Sequence, residues 1–206
     1  MKTFLNLSIY VQCMLALIGT TNAQDGVLIF EAEKFDSQEL NEIRSWEIIK
    51  KGDKDQKQAA ATASKGKYVQ LLPDTRVTHD DKLIPGENFM NTAGKMCVLN
   101  YKVKIDEPGK YYVWVRAFST GPEDNGIHVG LDGEWPDSGN RMQWCEGKHE
   151  WTWASKQRTK EVHCGVEELI YIEIREAGEH TVSFSMREDG FAFDQWALTK
   201  EYVTPE

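Results

Sequence analysis

The stretch Ser183 to Lys200, SFSMREDGFAFDQWALTK, constrains the fold more than any other part of the chain. Apolar Val182, Phe184 and Met186 alternate with Ser183, Ser185 and Arg187, the two-residue period of a half-buried strand. Arg187-Glu188-Asp189-Gly190 then supplies turn chemistry, since aspartate bonds its own backbone and glycine accepts positive φ. A second strand follows, with Phe191, Phe193, Gln195 and Ala197 on one side and Ala192, Asp194, Trp196 and Leu198 on the other. Asp194 is thereby set among hydrophobes, and an unpaired buried carboxylate is expensive enough that the pattern demands a partner for it.

The same signals recur along the chain. Val27 to Glu33 sets Leu28, Phe30 and Ala32 against Glu31 and Glu33, Ser45 to Ile49 is extended, and Tyr68 to Leu72 ends at Pro73. Met96 to Asp106 and Lys110 to Phe118 read as a hairpin about Glu107-Pro108-Gly109, where proline presets φ and glycine takes the left-handed position. Its second strand is apolar on both faces, as a central strand of a packed sheet must be. Leu169 to Arg175 and Glu179 to Arg187 read as another hairpin about Ala177-Gly178. Two segments carry no such period: the charged, alanine- and serine-rich Lys51 to Lys65, with nothing in its pattern to bury it, and Asp74 to Gly94, whose length belongs to functional or mobile loops. Short strands between Gly, Pro and Asp turns predict an all-β fold, a single jelly-roll β-sandwich over Gly26 to Lys200.

Met1 to Ala23 has the form of a secretory signal: Lys2 is the basic start, Phe4 to Ile18 is broadly apolar, and Thr21-Asn22-Ala23 is a small-residue cleavage site. The domain reading is a signal peptide over 1–23 and one sandwich domain over 24–206, a size that suits one core better than two. Asn6, Ser8 and Gln12 interrupt the apolar run too often for a membrane span. Cys13 lacks the preceding small residue of a bacterial lipoprotein signal, so the product is read as secreted, into the extracellular space or periplasm. With 33 acidic and 24 basic residues the net charge is −9, which argues against nucleic acid, whose phosphates need clustered lysine and arginine. Of the cysteines left after cleavage, Cys97 is in phase with Leu99, Tyr101, Val103 and Ile105 and reads as a small buried hydrophobe. Cys145 and Cys164 flank a tryptophan-rich polar segment and are the pair expected to bridge, closing a loop of about 20 residues for about 3 kcal/mol in the chain-entropy model.

A first strand ending Glu31-Ala32-Glu33, a middle Tyr111-Tyr112-Val113-Trp114-Val115-Arg116-Ala117 followed by Asn125-Gly126-Ile127-His128-Val129-Gly130-Leu131-Asp132-Gly133, and a closing Asp189-Gly190-Phe191-Ala192-Phe193-Asp194 resemble the carbohydrate-binding modules of families 6 and 35 and their malectin-like, galactose-binding-like relatives. The resemblance covers Gly26 to Lys200. It implies that Glu31, Glu33 and Asp194 hold a structural calcium tying the first strand to the last, a hard cation that takes about six to eight oxygens. It also implies that Asn125 helps to bind ligand at the loop end of the sandwich.

Trp135, Trp144, Trp151 and Trp153 crowd one polar segment, whereas Trp46, Trp114 and Trp196 lie in apolar strands and read as core. Trp135 stands between turn formers, and an exposed rigid aromatic is a stacking surface for the apolar face of a sugar ring. Arg76 and His79, beside Asp80 and Asp81 in the long irregular loop, are further ligand-binding candidates. Together these readings predict a secreted, non-catalytic carbohydrate-binding protein that recognises a polysaccharide or oligosaccharide, alone or beside a separate carbohydrate-active enzyme. Arg141, Lys148, Lys156 and Arg158 near the tryptophans leave room for an acidic glycan. The competing class is a small polysaccharide lyase or glycoside hydrolase, because a fold does not set a function. His79, Arg76 and Tyr68 are then the nearest base and charge-neutralising groups.

Overall fold

The computed structural model describes residues 26–55 and 57–206, and the signal-peptide reading of 1–23 lies outside the described residues. In chain order the strands are β1 Val27–Glu31, β2 Ser37–Glu39, β3 Ser45–Lys50, β4 Lys67–Leu72, β5 Val98–Ile105, β6 Gly109–Phe118, β7 Gly126–Leu131, β8 Met142–Gln143, β9 Trp151–Ala154, β10 Lys156–Gln157, β11 Val166–Glu167, β12 Tyr171–Ile174, β13 Gly178–Met186 and β14 Ala192–Thr199. One antiparallel sheet runs β12-β6-β14-β4-β3, with β1 added on β14 and β9 on β6; the facing sheet runs β11-β10-β8-β7-β13-β5-β2. The core between them holds Trp46, Leu71, Tyr101, Val115, Phe184, Phe193 and Trp196. Trp196 stacks on Phe30 at 4.2 Å and meets Tyr101 and Phe184 edge-on, offset and T-shaped geometries that aromatic rings prefer. The architecture is the expected β-sandwich, and first and last strands pair from Val27↔Thr199 to Glu31↔Gln195.

Both expected hairpins are absent. β5 pairs with β13 and β2, whereas β6 pairs with β12, β14 and β9, so Glu107-Pro108-Gly109 carries the chain from one sheet to the other. Ala177-Gly178 does the same between β12 and β13, and the Arg187 to Gly190 turn does it between β13 and β14. An alternating pattern reports which face of a strand is buried and is silent about the neighbour in the sheet.

The opening strand stops at Glu31, and Ala32–Lys34 form a 3-10 turn, so Glu31 and Glu33 do not share a strand face as the alternation predicts. In β14 the register against β6 shifts between Phe193 and Gln195. This bulge puts Phe193 and Trp196, which simple alternation places on opposite faces, into the same core, and turns Asp194 out of it.

In the segment from Lys51 to Lys65, expected to lie unburied, the alanines form a lid. Ala59, Ala60 and Ala63 pack with Ile49, Tyr68, Phe118 and Ala192 on the outer face of the first sheet. Asp55 fastens it, accepting hydrogen bonds from Ala60 N at 2.6 Å and Tyr68 Oη at 2.8 Å. Alanines need no period to bury themselves, only a flat surface close enough for their methyl groups. Cys145 and Cys164 are bonded, with Cα atoms 5.4 Å apart, and Cys97 is free and buried.

Candidate functional site

Because Leu99, Tyr101, Val182 and Phe184 point into the core, their neighbours Asn100, Lys102, Thr181 and Ser183 point outward from the second sheet. Pairing registers align Ser37, Asn100, Ser183 and Gly130 as one row across β2, β5, β13 and β7. Ser183 Oγ donates to Asn100 Oδ1 at 2.7 Å, and Asn100 Nδ2 donates to Ser37 Oγ at 3.3 Å. Trp135 closes the row. A Cβ on Gly130 would lie 2.9 Å from the indole, and one on Gly94 only 2.1 Å from its Nε1, so both glycines are required by the close approach of the ring. The turn that presents Trp135 is locked by reciprocal bonds between Leu131 and Glu134 and by Asp132, whose carboxylate accepts from Thr181 N at 2.8 Å. The result is a groove of about 700 Å³ bounded by the indole, the Asn100 and Ser183 row, Asp36, Lys102 and Asp132. A rigid aromatic beside fixed hydroxyl, amide and charged groups can stack on the apolar face of a sugar and bond its hydroxyls.

The other tryptophans are elsewhere. Trp144 is in the core, its ring against Phe191 and its Nε1 donating to Thr152 O, so no ligand can reach its face. Trp151 packs edge-on against Tyr68 and Phe118 and donates to Ala59 O, which makes it part of the lid contact. Trp153, half-buried on β9, belongs to the first sheet, whereas the Trp135 groove lies on the second. Trp114 is buried on the outer side of β6, with its ring 4.8 Å from that of Tyr202.

Asn125 is buried at the loop end. It accepts from Gln143 Nε2 through its side chain, and its backbone N donates to Glu188 Oε2 at 3.0 Å. Arg76 and His79 both turn to buried Glu123, at 3.4 and 3.7 Å, while Lys57 pairs with Asp124. Asp74, against Gly190, has a buried Oδ1 with no partner. Burial, opposed by Lys57 and reinforced by Asp189 and Asp124, pushes its carboxyl up to about 6. A raised carboxyl contributes stability in full below the unfolded value of about 4, and loses it as pH rises through about 6. Asp74→Asn is therefore expected to gain on the wild type between those pH values, by an amount on the order of 1 kcal/mol at neutral pH, in urea melts of both proteins. Burial lowers His128 to about 4 and gives the opposite slope in the same range, so the difference between the two proteins is the quantity to read. A difference that does not change with pH would mean that Asp74 is already ionised throughout.

At the corner where β1 meets β14, Ser64 joins two of the predicted metal ligands: its N donates to Asp194 Oδ2 at 2.7 Å and its Oγ to Glu31 Oε1 at 3.0 Å. Arg116 also reaches Asp194, at 2.6 Å, and Lys65 reaches Glu31, at 3.1 Å. Burial, partly offset by the Ser64 N–H and Arg116, pushes the Asp194 carboxyl up to about 6. Among the described residues no group of three or more His, Cys, Asp or Glu side chains is gathered as a metal cluster. Yet Glu31 Oε2, Glu33 Oε1, Glu33 Oε2 and Asp194 Oδ1 are all buried without a hydrogen-bond partner. Four orphaned carboxylate oxygens from the three predicted ligands are what a hard cation would satisfy.

Two antiparallel sheets closed by pairing of the first and last strands, with a groove beside Trp135 on one face, define a β-sandwich. The chain belongs to the glycosyl hydrolase family 115 C-terminal domain family, whose sequence model matches residues 22–205. It is similar to the uncharacterized protein P23 of Formosa agariphila, 52% identical over 182 residues that cover 85% of this chain and 44% of that protein. The chain thus spans less than half the length of this curated relative. Similar solved structures include a family 35 carbohydrate-binding module from Clostridium thermocellum (16% identity, 83% of this chain and 97% of that one, TM-score 0.46). Another is the C-terminal family 6 module of LamC from Zobellia galactanivorans (14% identity, 84% and 99% covered, TM-score 0.44). At such identities and TM-scores these are distant likenesses, and the function is argued from this chain's own residues.

Proposed function

We propose that this chain is a secreted, non-catalytic carbohydrate-binding domain that holds a polysaccharide or oligosaccharide in the Trp135 groove and is braced by a structural calcium at Glu31, Glu33 and Asp194. The observation that carries the reading is the clamped indole over Gly130 and Gly94 beside the Asn100 and Ser183 row. Membership of a family named for the C-terminal domain of a glycosyl hydrolase supports association with a catalytic partner, on the same chain or a separate one. No helix among the described residues is long and apolar enough to cross a membrane.

The residues proposed for lyase chemistry do not favour catalysis. Tyr68 is buried, and burial followed by the Asp55 hydrogen bond holds its phenol well above the ordinary range, too weak an acid to serve as a base near neutrality. Arg76 is turned to buried Glu123, and exposed His79 lies 3.7 Å from the same carboxylate.

A glycan array followed by calorimetry on the best ligand tests the reading. Trp135→Ala is expected to weaken binding by about 30-fold, the effect of removing a tryptophan anchor worth about 2 kcal/mol, while the protein stays folded. Unchanged affinity in this variant would remove the groove from consideration, and release of new reducing ends or unsaturated uronate by the wild type would overturn the non-catalytic assignment.

A further inference from the structure

Beyond the groove, the same sheet face carries two arginines, Arg141 and Arg158, that make no ion pair among the described residues. The row Ile127↔Met142↔Gln157 runs across β7, β8 and β10, and the next row is formed by His128, Arg141 and Arg158. Two hydrogen bonds hold that row: Arg141 N donates to the ring Nδ1 of His128 at 3.1 Å, and Arg158 N donates to Arg141 O at 2.9 Å. Met142 is in the core, and Arg141 beside it adopts φ of 59°, a left-handed backbone uncommon for arginine and a form of local strain found at functional positions.

Arg187 enters the same area from the turn after β13. A Cβ on Gly126 would come 2.9 Å from its guanidinium, and Phe89 stacks on its other side at 5.0 Å, so the side chain is held by packing. Its one carboxylate partner, Glu188, is also taken by Asn125 N. Among the described residues the arginine ion pairs are made by Arg44, Arg76, Arg116 and Arg187, and none by Arg141 or Arg158. Buried Arg141 Nε and Arg187 Nε have no acceptor at all. Burial, followed by the charges of Arg187 and Arg141 and opposed by Glu188, holds the ionisation of Arg158 below its ordinary range. In a chain of net charge −9, three arginines gathered about the carboxylate of Glu188 leave an excess of positive charge that an anionic ligand would meet.

We propose that Arg141 and Arg158, backed by Arg187, form an anion subsite that takes a carboxylate or sulfate group of an acidic glycan whose neighbouring ring lies in the Trp135 groove. The proposal rests on the carbohydrate-binding reading above. Gly130, beneath Trp135, is on β7, and Arg158 follows β10 two strands away, about 10 Å at ordinary strand spacing and within the span of a short oligosaccharide. Guanidinium is the group suited to either anion, since its fork bonds two oxygens at once.

The test is calorimetry on the full chain with tetragalacturonate, the same oligosaccharide after carboxyl reduction, and a sulfated galactan tetrasaccharide, each at low and high salt. The expected result is that at least one anionic probe binds about tenfold more tightly than the reduced one at low salt. Arg141→Gln and Arg158→Gln should each remove most of that advantage and its salt dependence, and leave the melting temperature and the affinity for the reduced probe unchanged. Comparing the two anionic probes separates carboxylate from sulfate. Equal binding of charged and reduced probes, or full anionic affinity in both variants, would overturn the subsite while the glycan reading stands. Failure of every probe and every array glycan to bind would overturn the glycan reading and the subsite with it.

Discussion

Calcium added to chelator-treated protein is expected to raise its melting temperature by about 5–10 °C, and Glu33→Gln to abolish most of the rise. The sandwich is closed by β1 lying against β14, and buried carboxylate oxygens of Glu31, Glu33 and Asp194 belong to the end of β1, the 3-10 turn after it and the partner strand. Burying carboxylate oxygens with nothing to bond is costly, and four of them in these adjoining elements oppose the closure that the strand pairing favours. The side chains that face them are imperfect substitutes: Lys65 is 66% exposed and its pair with Glu31 is worth little in water, while Arg116 serves only one oxygen of Asp194. A cation bound only by the folded state adds about 2.7 kcal/mol when present at about a hundred times its dissociation constant. For a domain of this size each kcal/mol is worth about 2–4 °C. Scanning calorimetry in chelator and in calcium, with elemental measurement of bound metal, decides the matter. Identical melting curves and no bound metal would remove calcium from the description of this protein.

Asp189→Ala is expected to cost about 3–5 kcal/mol, measured as a loss in urea midpoint at unchanged slope. Arg44 Nη2 meets Asp189 Oδ2 at 2.5 Å with both side chains buried, across a sequence separation of 145. Thr75 completes the node, donating to the same oxygen through N at 2.8 Å and Oγ1 at 2.6 Å. The node therefore joins the entry to β3, the segment after β4 and the turn before β14. Truncating the acid leaves a guanidinium buried without its charge partner, and that uncompensated charge is what the experiment measures. Arg44→Met combined with Asp189→Leu should recover much of the loss by replacing the ion pair with packed apolar volume. A single variant as stable as the wild type would mean that water reaches Arg44 when the acid is gone.

Strand positions and the all-β class follow from alternation, because the period of two is a local property of an extended chain with one buried face, and Trp46 and Trp196 read as core because the strands that hold them are apolar. The turn before Asp194 and the need for a partner there are legible for the same reason, as is the value of Trp135, a large aromatic among turn formers. Which strands pair is decided by the tertiary structure: β5 and β6 are contiguous, patterned alike and joined by Pro108-Gly109, yet they lie in opposite sheets. The bulge at Asp194 reverses the facing of Trp196 relative to simple alternation, since one extra residue shifts every later side chain to the other face. Asp189, an ordinary turn residue in the sequence, becomes half of a buried ion pair because Arg44 arrives beside it from a distant strand. The groove and the arginine row likewise exist only once β2, β5, β13, β7, β8 and β10 are aligned in register. Their residues are spread from Asp36 to Arg187, and no local pattern carries the pairing that brings them onto one face.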